Sequence, residues 1–530
     1  MRKALKIHPA DNLAAALVDL SKDEVVRLDG LEITLKTDVP AKHKFTLEDV
    51  EAGGVTIMYG TLVGKATCSI PKGARVTTEN LKHHAAEITV GHSGGYLWEP
   101  PDVSSWKGRS FKGYLREDGR VGTSNFWLVM PLVFCENRNV MMLANALSDA
   151  FGFSDFSLSD YARELMGKVS QNEGGGAPSG LDGVRQIQVT GGCGGAESDA
   201  QALGRLLAAY ADHPNVCGIT VFSLGCEKLQ PEMFRNSIFE RNPNFSKPAL
   251  YLRQQDWKSS TEMMKVALKE SLNLIKSLGD AKRTDVPLSK LKIGVKCGGS
   301  DGFSGISANP VIGVVSDMVV ALGGASLMAE FPELCGAEGM ITRRAVSEKV
   351  SSRFLGLMRD YEDAANFHKT SIADNPSWGN IQDGLITDAI KSAGAAQKGG
   401  TAPVSEVLDY TEPMPETGFS LACTPGNDVL AVTGMVAAGC NLVLFSTGLG
   451  TPTGNPIVPV LKIATNTEMA ERLEDLIDFD CGPVIMGAHV HQNAEALMEK
   501  VILAASGEYI VKAERLGQHD FMLWKRSVDL

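Results

Sequence analysis

Five apolar runs in this chain each give way to a loop of glycine and side chains bearing oxygen or sulfur. Residues 216–224 lead into Gly225-Cys226-Glu227-Lys228, and 292–296 into Cys297-Gly298-Gly299-Ser300-Asp301. Residues 325–329 lead into Glu330-Phe331-Pro332-Glu333, and 419–422 into Cys423-Thr424-Pro425-Gly426-Asn427-Asp428. Residues 442–445 lead into Ser446-Thr447-Gly448-Leu449-Gly450-Thr451. Short apolar runs separated by amphipathic stretches read as buried strands alternating with helices. Helices are expected over 199–210, 261–278, 311–322, 343–360 and 492–505, and a further strand over 126–130. The alternation predicts an α/β architecture with mainly parallel sheets. In such sheets ligands bind beyond the carboxyl ends of the strands, where glycine lets backbone N–H groups come close. A helix starting there favours an anion. Five such loops in one chain predict a composite site that grips a polyhydroxy acid.

The chain has 530 residues, more than one core organises. Residues 1–93 read as short strands broken by Pro40, Gly53-Gly54 and Pro71-Lys72-Gly73, which predicts a small all-β module. Residues 94–111, with Gly94, Gly95, Pro100 and Pro101, read as a linker. The glycines around Gln397-Lys398-Gly399-Gly400 suggest a division into a middle domain, 112–398, and a C-terminal domain, 399–530. The formal net charge of -12 gives no basic face for nucleic acid. No apolar run reaches the roughly 18–20 residues of a membrane span, and no apolar signal region opens the chain, so a cytoplasmic location is expected. Assembly into a homo-oligomer is left open. The ten cysteines form no CxxC pair or zinc-finger spacing. There is no P-loop, and Gly298-Gly299-Ser300-Asp301-Gly302 fits a nucleophile elbow only in its letters.

Histidine suits both metal ligation and proton transfer near neutrality. His8 and His43 sit at the edges of short strands in the first module and are the histidines singled out for such work; His83, His84, His92, His213 and His519 lie in polar surroundings and are expected at the surface.

Residues 297–310, Cys-Gly-Gly-Ser-Asp-Gly-Phe-Ser-Gly-Ile-Ser-Ala-Asn-Pro, carry a wider resemblance. With them go Ile7-His8-Pro9-Ala10-Asp11-Asn12, His43-Lys44-Phe45, Leu224-Gly225-Cys226-Glu227 and Glu330-Phe331-Pro332-Glu333. Asn375-Pro376-Ser377-Trp378-Gly379-Asn380, Pro425-Gly426-Asn427-Asp428 and Ser446-Thr447-Gly448-Leu449-Gly450-Thr451 complete the set. Through these motifs nearly the whole chain resembles the altronate and galactarate dehydratase family, with the altronate branch nearer. The resemblance implies an N-terminal SAF-type β-clip domain before α/β catalytic domains. It implies a hydro-lyase that removes water from a sugar acid, D-altronate giving 2-dehydro-3-deoxy-D-gluconate, with Fe2+ or Mn2+. Galactarate dehydration and sulfolactate desulfonation are the alternative lyase reactions, and a non-catalytic sugar-acid binder the alternative class.

On this reading His8 and His43 act as base or metal ligand, and Cys193, Cys226 and Cys297 line the metal side beside Asp301. The same thiolates suit an iron–sulfur cluster as the alternative cofactor. Glu227 and Glu330 are candidates for proton transfer. Substrate contacts are expected from Asn12, Ser300, Asp301, Ser304, Asn309, Asn380, Asn427, Asp428, Thr447 and Thr451. Three departures from the family pattern bear on substrate choice and activity. Val189-Thr190-Gly191-Gly192-Cys193 lacks a His and a Tyr, Ile381 stands for a Lys, and Leu449 for an Arg.

Overall fold

The apolar runs pair as parallel strands. The computed structural model describes residues 2–85, 96–153 and 176–526. Lys292–Cys297 lies at the centre of a seven-stranded sheet. On one side follow Ala325–Met328, Gly418–Ala422 and Val404–Leu408; on the other, Leu442–Thr447, Val460–Ala464 and Phe479–Asp480. Every neighbouring pair is parallel. Strands covered on both faces need apolar side chains at successive positions, and Leu442–Thr447 is buried along its whole length. The chain lays Ala325–Met328 beside Lys292–Cys297, places Val404–Leu408 at the edge and inserts Gly418–Ala422 between them, then crosses back to lay Leu442–Thr447 on the other side. The order therefore reverses at the central strand, which opens a crevice beyond its carboxyl end.

A second parallel sheet has four strands in the order Gly183–Gln186, Phe126–Pro131, Val216–Ser223 and Ala249–Arg253. Helix Ser260–Ser277 covers one side; its buried Met263, Ala267, Ser271 and Ile275 recur every fourth residue, the spacing of a single helical face. Ser259 caps its first turn by accepting from the Glu262 N–H. Helix Asp428–Ala438 is apolar nearly all round because it is packed on many sides. Val432, Met435 and Val436 share one core with Ile219 and Val221 of the smaller sheet and Leu327 and Val443 of the larger. Strand Ser110–Leu115, entering the smaller unit, pairs antiparallel with Thr284–Pro287, leaving it.

The first module is all-β, as expected, with small antiparallel sheets. Its expected boundary at 93, and His92, lie outside the described residues. The stretch expected as a linker is docked from residue 96 onward. Trp106 and Phe111 are buried in the larger core, and the Trp98 indole N–H donates to Thr401 Oγ1 at 3.1 Å. The expected division at 398/399 falls inside a single sheet, since Val404–Leu408 and Lys292–Cys297 belong together. Its glycines serve packing: a side chain on Gly400 would overlap the Gly313 carbonyl. His213, expected at the surface, is buried; its Nε2 lies 3.0 Å from the Cys440 carbonyl, and burial holds its pKa well below the usual value. No helix among the described residues is long and apolar enough to cross a membrane.

The first module presses onto the larger unit where that unit has no side chains. Gly384 has φ 86°, and a Cβ there would overlap the Lys42 carbonyl. Gly384→Ala should therefore destabilise the docked module by about 1–3 kcal/mol. Gly356→Ala, on helix Glu348–Phe367 with open space around it, should be neutral or stabilising by about 0.4–1 kcal/mol. Denaturant unfolding of the two variants side by side checks both.

Candidate active site

Lys296 and Cys297 end the central strand and are buried, with 0% of Lys296 exposed. Lys296 Nζ stands 2.6 Å from Glu330 Oε1 and 2.7 Å from Asp428 Oδ1. Lys398 Nζ donates to Cys297 Sγ at 3.2 Å, and the thiol lies 3.4 Å from Glu333 Oε2. Lys391 Nζ is 3.0 Å from Glu333 Oε1. Three ammonium groups thus meet three carboxylates and one thiol. The residues come from the ends of three strands and from the segment around helix Asp388–Ala396.

Glu330 is held in an uncommon backbone conformation, φ 72° and ψ 68°. A non-glycine residue there carries strain of order 1–3 kcal/mol, and such strain clusters at working sites. The neighbouring loop fixes it: the Glu330 N–H donates to Thr424 Oγ1 at 3.0 Å and the Phe331 N–H to the Thr424 carbonyl at 3.2 Å. Neither Glu330 carboxylate oxygen has an aligned hydrogen-bond donor; its close contacts are ionic.

The two glutamates are driven apart. Burial, with the Glu333 charge beside it, pushes the Glu330 carboxyl up to about 8. Burial opposes the Glu333 charge too, but Lys391, Lys296 and Lys398 outweigh it and hold that carboxyl well below the usual range. Burial likewise works against the lysine charges; the facing carboxylates outweigh it at Lys296 and Lys391, and Cys297 followed by Glu333 and Glu330 at Lys398, so all three are raised. A pair of carboxyls pushed in opposite directions is how a protein assigns one proton carrier and one fixed charge.

The rim is built with the first module. Asp301 is fully buried, and its carboxylate meets Lys42 Nζ at 3.2 Å and the Thr465 hydroxyl at 3.1 Å. Lys42 also reaches Asp383 at 2.9 Å. The buried Lys44 donates to the Gly384 carbonyl at 2.6 Å, and burial lowers its pKa to about 7. His43 Nε2 lies 3.0 Å from the Gln382 carbonyl, which can only accept, so Nε2 carries the proton. Its buried Nδ1 has no hydrogen-bond partner.

The expected residues fall into groups. Cys297, Glu330 and Asp428 are in the charged cluster, with Ser300, Asp301 and Ser304 on the loop beside it. Ser300 Oγ is buried without a partner. Asn380 donates to the Ser300 carbonyl at 2.8 Å, and Asn309 accepts from the Ser446 hydroxyl at 2.6 Å. Asn427 caps helix Asp428–Ala438, and Thr447 Oγ1 accepts from the Gly450 and Thr451 N–H groups. Leu449 is 47% exposed and Trp378 73%. Asn12 is tied up within the first module by Glu48, Val55 and Ile57. His8 is exposed there and accepts from the Ala10 N–H. Glu227, Cys193 and Cys226 stand on loops of the smaller sheet, so Cys193 and Cys226 do not join Cys297. Lys296, Glu333, Lys391 and Lys398 were not foreseen.

Cys297, Glu330 and Glu333 bring three ligand atoms within 4.8 Å of one another, a spacing a metal ion accepts. The surrounding charge does not suit a dication. Each donor already faces its own ammonium, Lys398, Lys296 and Lys391 respectively. A metal ion there must displace all three contacts, so no chemical step is derived through one. Truncating a lysine exposes the balance. Lys296→Met takes the shared ammonium from the buried Glu330 and the partly exposed Asp428 and should cost about 3–5 kcal/mol. Glu330→Gln copies the uncharged carboxyl that a value of about 8 makes the main form at pH 7, and Lys296 keeps Asp428, so it should be tolerated within about 1 kcal/mol. Denaturant midpoints of the two variants measure the difference.

The comparisons with known proteins agree along the whole chain. The altronate/galactarate dehydratase SAF domain matches residues 2–84, and the D-galactarate dehydratase/altronate hydrolase second domain matches 113–278. The D-galactarate/altronate dehydratase C-terminal domain matches 288–529. An altronate dehydratase of Bacillus subtilis (strain 168) is 34% identical over 100% of both chains. An altronate dehydratase of Escherichia coli (strain K12) is 32% identical over 99% of both. The galactarate dehydratase (L-threo-forming) of the same organism is 31% identical over 97% of this chain and 95% of its own. The strand-end cluster lies within the segment matched by the C-terminal domain, and the chain belongs to the altronate/galactarate dehydratase family.

Proposed function

We propose that this protein is a cytoplasmic hydro-lyase that converts D-altronate to 2-dehydro-3-deoxy-D-gluconate, with Glu330 as the proton carrier. The observation that carries this is the buried Glu330–Glu333 pair inside a ring of lysines at the sheet's crevice. A proton next to an ionised carboxylate is only weakly acidic. Its removal needs positive charge placed where the dianion forms, in a site dry enough for that charge to act strongly. Lys296, Lys391 and Lys398 supply it. Ionised Glu330 takes the C2 proton. It then returns that proton to the departing C3 hydroxyl, which leaves as water, and the enol becomes the 2-keto acid. Asp301, Thr447, Thr451 and Ser300 offer contacts for the remaining hydroxyls. His43 serves in this reading as a docking residue through Gln382, and His8 takes no step.

Because Glu330 titrates at about 8 and acts ionised, kcat/KM should rise with pH through that value and then level. Glu330→Gln should lower kcat by about 10²–10⁴-fold and erase that limb while the fold persists. A pH–rate profile of both proteins tests this. The substrate is tested by supplying D-altronate, galactarate and sulfolactate in parallel. A 2-keto-3-deoxy product from altronate is expected. Product from galactarate alone, sulfite from sulfolactate, or binding without turnover would each overturn the altronate assignment.

A further inference from the structure

The smaller sheet repeats, with sulfur, the strand-end pattern of the larger one. Three neighbouring parallel strands each lead into a loop that carries an exposed cysteine: Phe126–Pro131 into Cys135, Gly183–Gln186 into Cys193, and Val216–Ser223 into Cys226. Cysteine is among the most buried residue types, so three exposed thiols on adjacent loops of one sheet edge are not core packing.

The loops are tied to one another through the residues flanking the thiols. The Phe134 N–H, just before Cys135, donates to the Gly191 carbonyl at 2.8 Å. The Gly192 carbonyl, just before Cys193, accepts from the Lys228 N–H at 2.9 Å, two residues past Cys226. Gly192 has φ 124°, and a Cβ there would stand 2.7 Å from Val133 Cα, so only glycine allows this approach. Asn137 fastens the same pair of loops through both its side-chain atoms and the Val189 backbone.

The carboxylate that follows Cys226 is already engaged. Glu227 accepts from the Ser223 hydroxyl and from the Gly225 N–H at 2.6 Å. The three exposed sulfurs are a soft set that selects zinc or iron–sulfur chemistry, whereas the Glu136 carboxylate beside Cys135 is buried and held at Oε2 by Asn139. Spacing separates the two. A single tetrahedral ion with bonds of about 2.3 Å draws its sulfurs to about 3.8 Å apart. Among the described residues only the Cys297 group brings three ligand atoms within 4.8 Å, so at least one pair of the three thiols stands farther apart than that, on the side of a cluster. Gly191, Gly192, Gly194 and Gly195 flank Cys193 and bring backbone N–H groups, the usual partners of cluster sulfurs, to the same loop. Beside the Cys226 loop lies a cavity of about 410 Å³, lined in part by Arg235, Arg253, Glu232 and Asp256.

We infer that Cys135, Cys193 and Cys226 form a site for an iron–sulfur cluster bound through three thiolates, separate from the Glu330 cluster and independent of the step assigned to it. Each thiol would release its proton to solvent and bond one iron. Full-length protein reconstituted anaerobically with equal amounts of ferrous and ferric iron and with inorganic sulfide should turn brown, with about four irons and about four sulfides per chain. Cys135→Ser, Cys193→Ser and Cys226→Ser, each checked for an unchanged far-ultraviolet circular dichroism spectrum, should each lower the visible absorbance and sulfide content at least about tenfold. Cys68→Ser, an exposed thiol of the first module, and Cys297→Ser should leave both unchanged. Colourless protein after reconstitution, one zinc per chain in place of iron and sulfide, or undiminished colour in the triple serine variant would overturn the inference.

Discussion

The structure turns on a buried charge balance that meets water chiefly at Asp428. Lys296, Lys391 and Lys398 face Glu330, Glu333 and Asp428 around the Cys297 thiol. Burying any one of these ions alone costs several kcal/mol, and each is tolerated because its partner is fixed by a separate element. The fold is organised to deliver those partners. The order reversal at Lys292–Cys297 brings strand ends together that lie far apart in sequence. The short turn Phe331–Leu334 sets Glu330 and Glu333 three residues apart, and helix Asp388–Ala396 with the turn after it brings Lys391 and Lys398 from the other side.

The first module completes this arrangement. Lys42 reaches Asp301 and Asp383, Lys44 reaches Gly384, and Tyr59 packs against Gly305 and Gly394. Lys42 and Tyr59 both have positive φ, so the tips of its loops are shaped for the contact. The all-β module therefore supplies a wall of the crevice, and the site draws on segments from residue 42 to residue 465.

Much of this was legible in the sequence, for a physical reason. A buried parallel strand is a continuous apolar run, and the loop after it must change composition abruptly to hold a ligand. That contrast marked Cys297, Asp301, Glu330 and Asp428 before any coordinates. The lysines escaped because their neighbours suggested other roles. Lys296 stands inside a strand pattern, and Lys398 lies in a glycine-rich stretch that reads as a break. What they do is set by residues over thirty positions away, which no local pattern encodes. His213 misled in the same way: its polar neighbours in sequence are not its neighbours in space, where it meets the Cys440 carbonyl. Cys135 carried the strand-end signature without the glycines that drew attention to the other loops.

Glu330 has a consequence beyond its chemistry. Its left-handed backbone and its poorly hydrogen-bonded carboxylate both work against folding. Drift under selection for stability alone would replace it, since glycine relaxes the backbone and an apolar neighbour relieves the charge. A descendant that kept only the shape of this protein would be expected to run more heat-resistant and to have lost this residue first. On the role proposed for Glu330, the identity of position 330 would mark, across relatives, which ones selection still holds to a reaction.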